Sequence, residues 1–187
     1  MMMISISNRR RASLVGVLIL LAYSMLTYTI TNNITLGVIT DIISGLAVIG
    51  IPLLMFPIFN TDENKRLNTA YLGSRFIEGI LMIIGGIFIF NPSSESYREI
   101  IYSDIHIYFF IVGALFFYLL LYRTRLIPRF ISIWGILATI ILFIVTIIKL
   151  FGVDLVILDA LVLPMILNEL FLTCWLMIKG FNSKRID

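Results

Sequence analysis

Three ionisable residues of this chain lie where an apolar sequence should exclude them. Arg75 and Glu78 fall inside GSRFIEGILMIIGG, Gly73 to Gly86, and Glu169 follows Asn168 inside a separate apolar run. An ion in hydrocarbon must pair, take up a proton or reach water, because a bare one costs a few kcal/mol or more. Arg75 and Glu78 are three residues apart, so they share a helical face and can pair within it. Glu169 has no basic residue at that depth in its own run. Arg75 is therefore expected to bridge Glu78 and Glu169, with one proton retained between two carboxylates that share one cation. Two such carboxylates can hold a proton or a small molecule, or can act as acid and base if water or substrate reaches them.

A shallower polar set comprises Asp41, Asp104, His106 and Asp159. No HxxxH or ExxH element places two of them on one helical face, so capping and hydration at an interface explain them better than a metal does. His106 is the single histidine, which leaves a Ser-His pair or a three-histidine metal site without components. Gly85, Gly86 and Gly113 lie inside apolar runs, not in a phosphate-cradling loop after a strand. The single cysteine, Cys174, excludes an internal disulfide and a CxxC pair. No catalytic constellation, metal site or cofactor is expected.

The elements that carry these residues follow from composition. Hydrophobic residues make up 60% of the 187 positions and charged residues 13%, with a mean hydropathy of +1.04. Such a chain is an integral membrane protein, because a soluble domain could not cover that apolar surface with so few charges. The net charge of +3 does not point to nucleic acid, since the basic residues come in short clusters between apolar runs and not on one polar surface. The expected partners are membrane lipids.

A bilayer core of about 30 Å takes about 20 helical residues to cross. Six runs of that order are expected as helices, at about 12–30, 36–59, 68–90, 104–122, 130–150 and 156–178. They are too long and unbroken for the strands of a membrane barrel, and each helix satisfies its own backbone in lipid. The first run follows Arg9, Arg10 and Arg11 without a small-x-small cleavage pattern, and is read as a retained helix. The whole of 1–187 is expected to form one all-α membrane domain, a six-helix bundle. One side of the bilayer receives Arg9, Arg10, Arg11, Lys65, Arg66, Arg123, Arg125, Arg129, Lys179, Lys184 and Arg185, which is 11; the other receives Arg98 and Lys149, which is 2; Arg75 completes the 14. This asymmetry places both termini in the cytoplasm of a plasma-membrane protein. The outer connection Asn91 to Ser103 opens with a helix-stopping Asn-Pro and is read as a solvated loop, with a lid as the alternative. Pro164 is expected to bend the sixth helix beside Glu169.

Three- and four-residue spacing gives each helix a small or polar stripe. In the third it is Asn68, Tyr71, Arg75, Glu78, Gly79, Met82 and Gly86; in the first it includes Gly16, Tyr23 and Ser24; in the second it includes Asp41, Ser44, Gly45 and Pro52. Close helix packing accounts for most of the small residues. The charged ones need more.

The segment LLLYRTRLIPRFISIWGIL, Leu119 to Leu137, resembles the basic hairpin of the prokaryotic membrane-protein family catalogued as domain of unknown function 4386, through Tyr122, Arg123, Arg125, Leu126, Ile127, Pro128 and Arg129. Pro164 to Glu169 with WLMIKGF, Trp175 to Phe181, is similar to that family's last helix and tail, and the Arg75-x-x-Glu78 pair fits its third helix. The resemblance implies a multi-helix membrane protein and no assigned activity. In physical terms, Arg123, Arg125 and Arg129 can anchor the hairpin at an anionic membrane surface, or bind a phosphate or lipid headgroup.

Three functions stay open. A small transporter or membrane-embedded binding protein would use Arg75, Glu78 and Glu169, with Asn168 beside them, for a small molecule or proton near the midplane. A structural or regulatory subunit would use the same cluster for packing alone. An intramembrane or lipid-modifying enzyme would need Glu78 and Glu169 as acid and base.

Overall fold

The structure is a computed structural model that describes residues 7–90 and 95–182. Lys184 and Arg185 of the basic tally, and the Asn91-Pro92 helix stop, lie outside the described residues. Regular structure among the described residues is helical throughout. α1 (Asn8–Ala22) passes through a tight 3-10 turn, Tyr23–Met25, into α2 (Leu26–Thr31). α3 (Ile34–Phe59) and α4 (Lys65–Phe88) follow, then α5 (Glu95–Ile100), which continues through wider π-type turns at Ile101–His106 into α6 (Ile107–Thr124). α7 (Arg129–Leu150), α8 (Val156–Ala160) and α9 (Leu163–Ile178) complete the chain. Together they make six spans long and apolar enough to cross a membrane, consistent with a multi-pass membrane protein.

One of the expected spans needs correction. The fourth does not begin at residue 104: helix runs back to Glu95, so Arg98 and Tyr102 belong to the bundle and not to a solvated loop. The sixth span runs over Val156–Ile178 as expected, with its regular helix interrupted once at residues that keep helical backbone angles. Chain turns at Leu161 and Val162 separate α8 from α9, and Pro164 stands in the first turn of α9. That placement costs nothing, because a first-turn N–H has no intrahelical acceptor to lose.

Small residues set how closely the spans approach. A Cβ on Gly79 would lie 2.6 Å from the Gly45 carbonyl oxygen, and one on Gly45 would lie 2.5 Å from that of Gly79. α3 and α4 therefore touch backbone to backbone, as the small-residue stripes require. Gly86 likewise lies against the Asp41 side chain.

Apolar side chains cover the outside as well as the core. Leu46, Leu53, Ile80, Ile87, Leu137, Ile144 and Leu167 are exposed on four different spans. Water would not tolerate such a continuous belt, whereas acyl chains solvate it. The inward core includes Phe59, Tyr71 and Phe117, with Tyr71 stacked on Phe117 at a centroid distance of 5.4 Å.

The start of α1 and the end of α9 meet at one end of the bundle. The Arg9 guanidinium donates to the Met177 and Ile178 carbonyls at 3.0 and 2.7 Å, covering the last turn of α9. Beyond α9, the Asn182 N–H donates to the Leu126 carbonyl in the basic hairpin at 2.8 Å.

Candidate functional site

Within α4 the ion pair forms as the spacing dictates. Arg75 Nη1 donates to both oxygens of Glu78, at 3.0 and 2.8 Å, and both residues are buried. The guanidinium lies 5.3 Å from the Phe110 ring centroid and 5.9 Å from that of Tyr71, and its Nε packs against Gly113. A Cβ at Gly113 would sit 2.8 Å from that nitrogen, so α6 must be bare here to admit the side chain.

Glu169 is not bridged by Arg75. Its hydrogen bond comes from the Tyr23 hydroxyl, 2.6 Å from Oε2, and it makes no ion pair among the described residues. The reason is geometric. Arg75 is bound to a partner on its own helix and bedded between α4 and α6, while the 3-10 turn at Tyr23–Met25 brings a phenol from the first span to α9. Asn168 points elsewhere: it is fully buried and donates to the Ile131 carbonyl at 3.0 Å, tying α9 to α7.

The outer polar set does not form one site. Asp41 is fully buried and takes Arg98 Nε at 3.0 Å. His106 turns inward, with Nε2 at 3.7 Å from Glu78 Oε1, longer than a hydrogen bond. Asp159 pairs at the surface with Lys149 at 2.6 Å, and Asp104 is exposed. No group of three His, Cys, Asp or Glu able to hold a metal occurs among the described residues.

Arg98, Tyr102, His106 and Phe110 repeat at intervals of four residues, and each packs against the next. Arg98 lies 4.4 Å from the Tyr102 ring, Tyr102 5.3 Å from His106, and His106 6.5 Å from Phe110. In an α-helix a four-residue step overshoots one turn by about 40°. The wider turns at Ile101–His106 rotate less per residue and return the series to one face. A ladder thus runs from the Asp41–Arg98 pair inward to the Arg75–Glu78 pair. Arg98 carries part of the site, and its four-residue spacing to Tyr102 and His106 was the only signal in the sequence that could have drawn it in.

Beside these groups lies a cavity of about 210 Å³. Tyr23, Tyr71, Arg75, Glu78, His106, Tyr118 and Glu169 give it polar lining; Ile51, Phe110, Phe117, Leu142 and Leu172 are among its apolar walls. The Tyr71 and Tyr118 hydroxyls are buried without a hydrogen-bond partner. Buried hydroxyls are normally satisfied, and leaving one unmade costs about 1–3 kcal/mol. Tyr71 shares the Arg75 face at four-residue spacing; Tyr118, one aromatic among many in its run, offers no comparable signal.

A second cavity, of about 390 Å³, lies at the basic hairpin and tail. Arg125, Arg129, Trp175 and Lys179 line it, whereas Arg123 turns aside toward Asn64 at 3.5 Å. No curated protein and no solved structure matches the chain. The family described as domain of unknown function DUF4386 matches residues 28–180, a stretch that includes the Arg75–Glu78 pair, the basic hairpin and Glu169, and the chain belongs to that family.

Proposed function

We propose that this protein is a membrane-embedded, transporter-like binding protein that takes a small molecule into the cavity between Arg75–Glu78 and Tyr23–Glu169. One observation carries the proposal: the 210 Å³ cavity is lined by both glutamates and by two buried tyrosine hydroxyls that lack partners. A cluster serving only to hold helices together gives no reason for that space, because interiors close to organic-crystal density. Catalysis is less well supported, since both oxygens of Glu78 are already engaged by Arg75. The location that fits is the plasma membrane, with lipids around the belt, both termini cytoplasmic and the chain acting as one membrane unit. The basic pocket at Arg125, Arg129 and Lys179 suits a phosphate or lipid headgroup at that cytoplasmic surface.

The test is to close the cavity. Ala22 lines it at the end of α1 and is only partly buried, so Ala22→Phe should fold while filling part of the space. Small aromatic probes should raise the thermal midpoint of the purified protein in nanodiscs, and Ala22→Phe should abolish that rise. A rise that Ala22→Phe leaves intact, or no rise with any probe, removes the binding proposal in favour of a structural cluster.

A further inference from the structure

We propose that the cavity selects an organic monocation, an ammonium with a small apolar body, and that the Glu169 carboxylate is its counter-ion; this rests on the binding proposal above. The two glutamates are not equivalent. Glu78 has its charge met by Arg75, which donates to both of its oxygens. Glu169 has a single neutral donor, Tyr23, and no cation in ion-pair range among the described residues. Of the two acidic charges that line the cavity, the uncompensated one is therefore Glu169.

The remaining lining favours the same ligand. The rings of Tyr71, Phe110, Phe117 and Tyr118 stand around the space, and the faces of such rings attract cations more strongly where water is excluded. Arg75 already illustrates this chemistry by lying over Phe110. The partnerless Tyr71 and Tyr118 hydroxyls offer oxygen acceptors to an ammonium N–H. An apolar cavity of about 150 Å³ accepts benzene, so 210 Å³ has room for one ring and a small cationic head.

A way in is visible on one flank. α1 packs on α9, but α2, the outer part of the same span, packs chiefly on α3. Leu26 is exposed, Ala22, Val162, Ile166 and Glu169 are only partly buried, and all five line the cavity. The opening faces the lipid between the first and sixth spans, which suits a ligand with an apolar body.

The experiment compares three probes on the full chain in nanodiscs, following thermal midpoints by tryptophan fluorescence. Benzyltrimethylammonium carries the charge; neopentylbenzene has the same shape without it; phenylacetate carries the opposite charge. The cation should bind about tenfold or more tightly than its neutral isostere; a quaternary ammonium has no N–H to donate, so the difference reads the Glu169 charge and the ring faces and not the tyrosine acceptors. Glu169→Gln should erase that difference while leaving neopentylbenzene unaffected. Equal binding of cation and isostere, or preference for phenylacetate, overturns the counter-ion assignment and leaves the binding proposal standing. If no probe binds, both fall. The comparison of cation with isostere uses the unaltered protein, so it decides even if Glu169→Gln fails to fold.

Discussion

Each buried charge at the residue scale is defined by the partner it has, and the partners differ from what depth alone suggests. Arg75 and Glu78 form a closed pair on one helix. Removing one member of such a pair leaves the other bare and costs about 3–5 kcal/mol, whereas removing both together is often close to neutral. Arg75→Leu should therefore lower the thermal midpoint sharply, and adding Glu78→Gln should restore most of the loss. Adding Glu169→Gln instead should restore little, because Arg75 makes no contact in ion-pair range with that residue. Melting curves of the three variants in detergent decide it: rescue by the Glu169 change, and not by the Glu78 change, would reinstate a bridge between α4 and α9. The Arg75–Glu78 pair was legible in the sequence because a three-residue spacing is a local property. The partner of Glu169 was not, since it depends on the 3-10 turn that aims Tyr23 across the bundle, and Ala22–Leu26 carries no proline or glycine to announce it.

Among the helices, apolar length located all six spans, and small-residue stripes marked the faces that meet. The interruptions were harder to foresee. Pro164 drew attention to the sixth span, though the regular helix is interrupted just before it, at Leu161 and Val162. The π-type turns at Ile101–His106 left no compositional trace, yet they align Arg98, Tyr102, His106 and Phe110 on one face. Two glycines of α4 make opposite predictions about packing. At Gly79 a Cβ would meet the Gly45 carbonyl, so Gly79→Val must part α3 from α4 and should destabilise by about 1–3 kcal/mol or more. At Gly73 a Cβ meets nothing within 4 Å, so Gly73→Ala should be neutral or stabilise by about 0.5–1 kcal/mol through helix propensity. Equal effects at the two positions in thermal or denaturant unfolding would mean that α3 and α4 are not held backbone to backbone.

For the whole molecule, the distribution of paired and unpaired charge bears on how the bundle sits in its membrane. The two basic residues assigned to the outer side are both neutralised, Arg98 by Asp41 and Lys149 by Asp159. At the other end, Arg10, Arg66, Arg125, Arg129 and Lys179 make no ion pair among the described residues, and three of these surround one cavity. The structure thus widens the contrast that a plain tally of arginines and lysines gives, because unpaired cations are the ones free to meet anionic lipid. Six spans also return the chain to the side from which it started, as the Arg9 contact with the end of α9 requires. In a Cys174→Ser background, a cysteine replacing exposed Asp62 in the α3–α4 turn should resist a membrane-impermeant maleimide in intact cells. One replacing exposed Asp154, between α7 and α8, should be labelled readily. Permeabilising the cells should equalise the two. Labelling of the Asp62 position alone in intact cells would invert the bundle, and with it the side from which the basic pocket is reached.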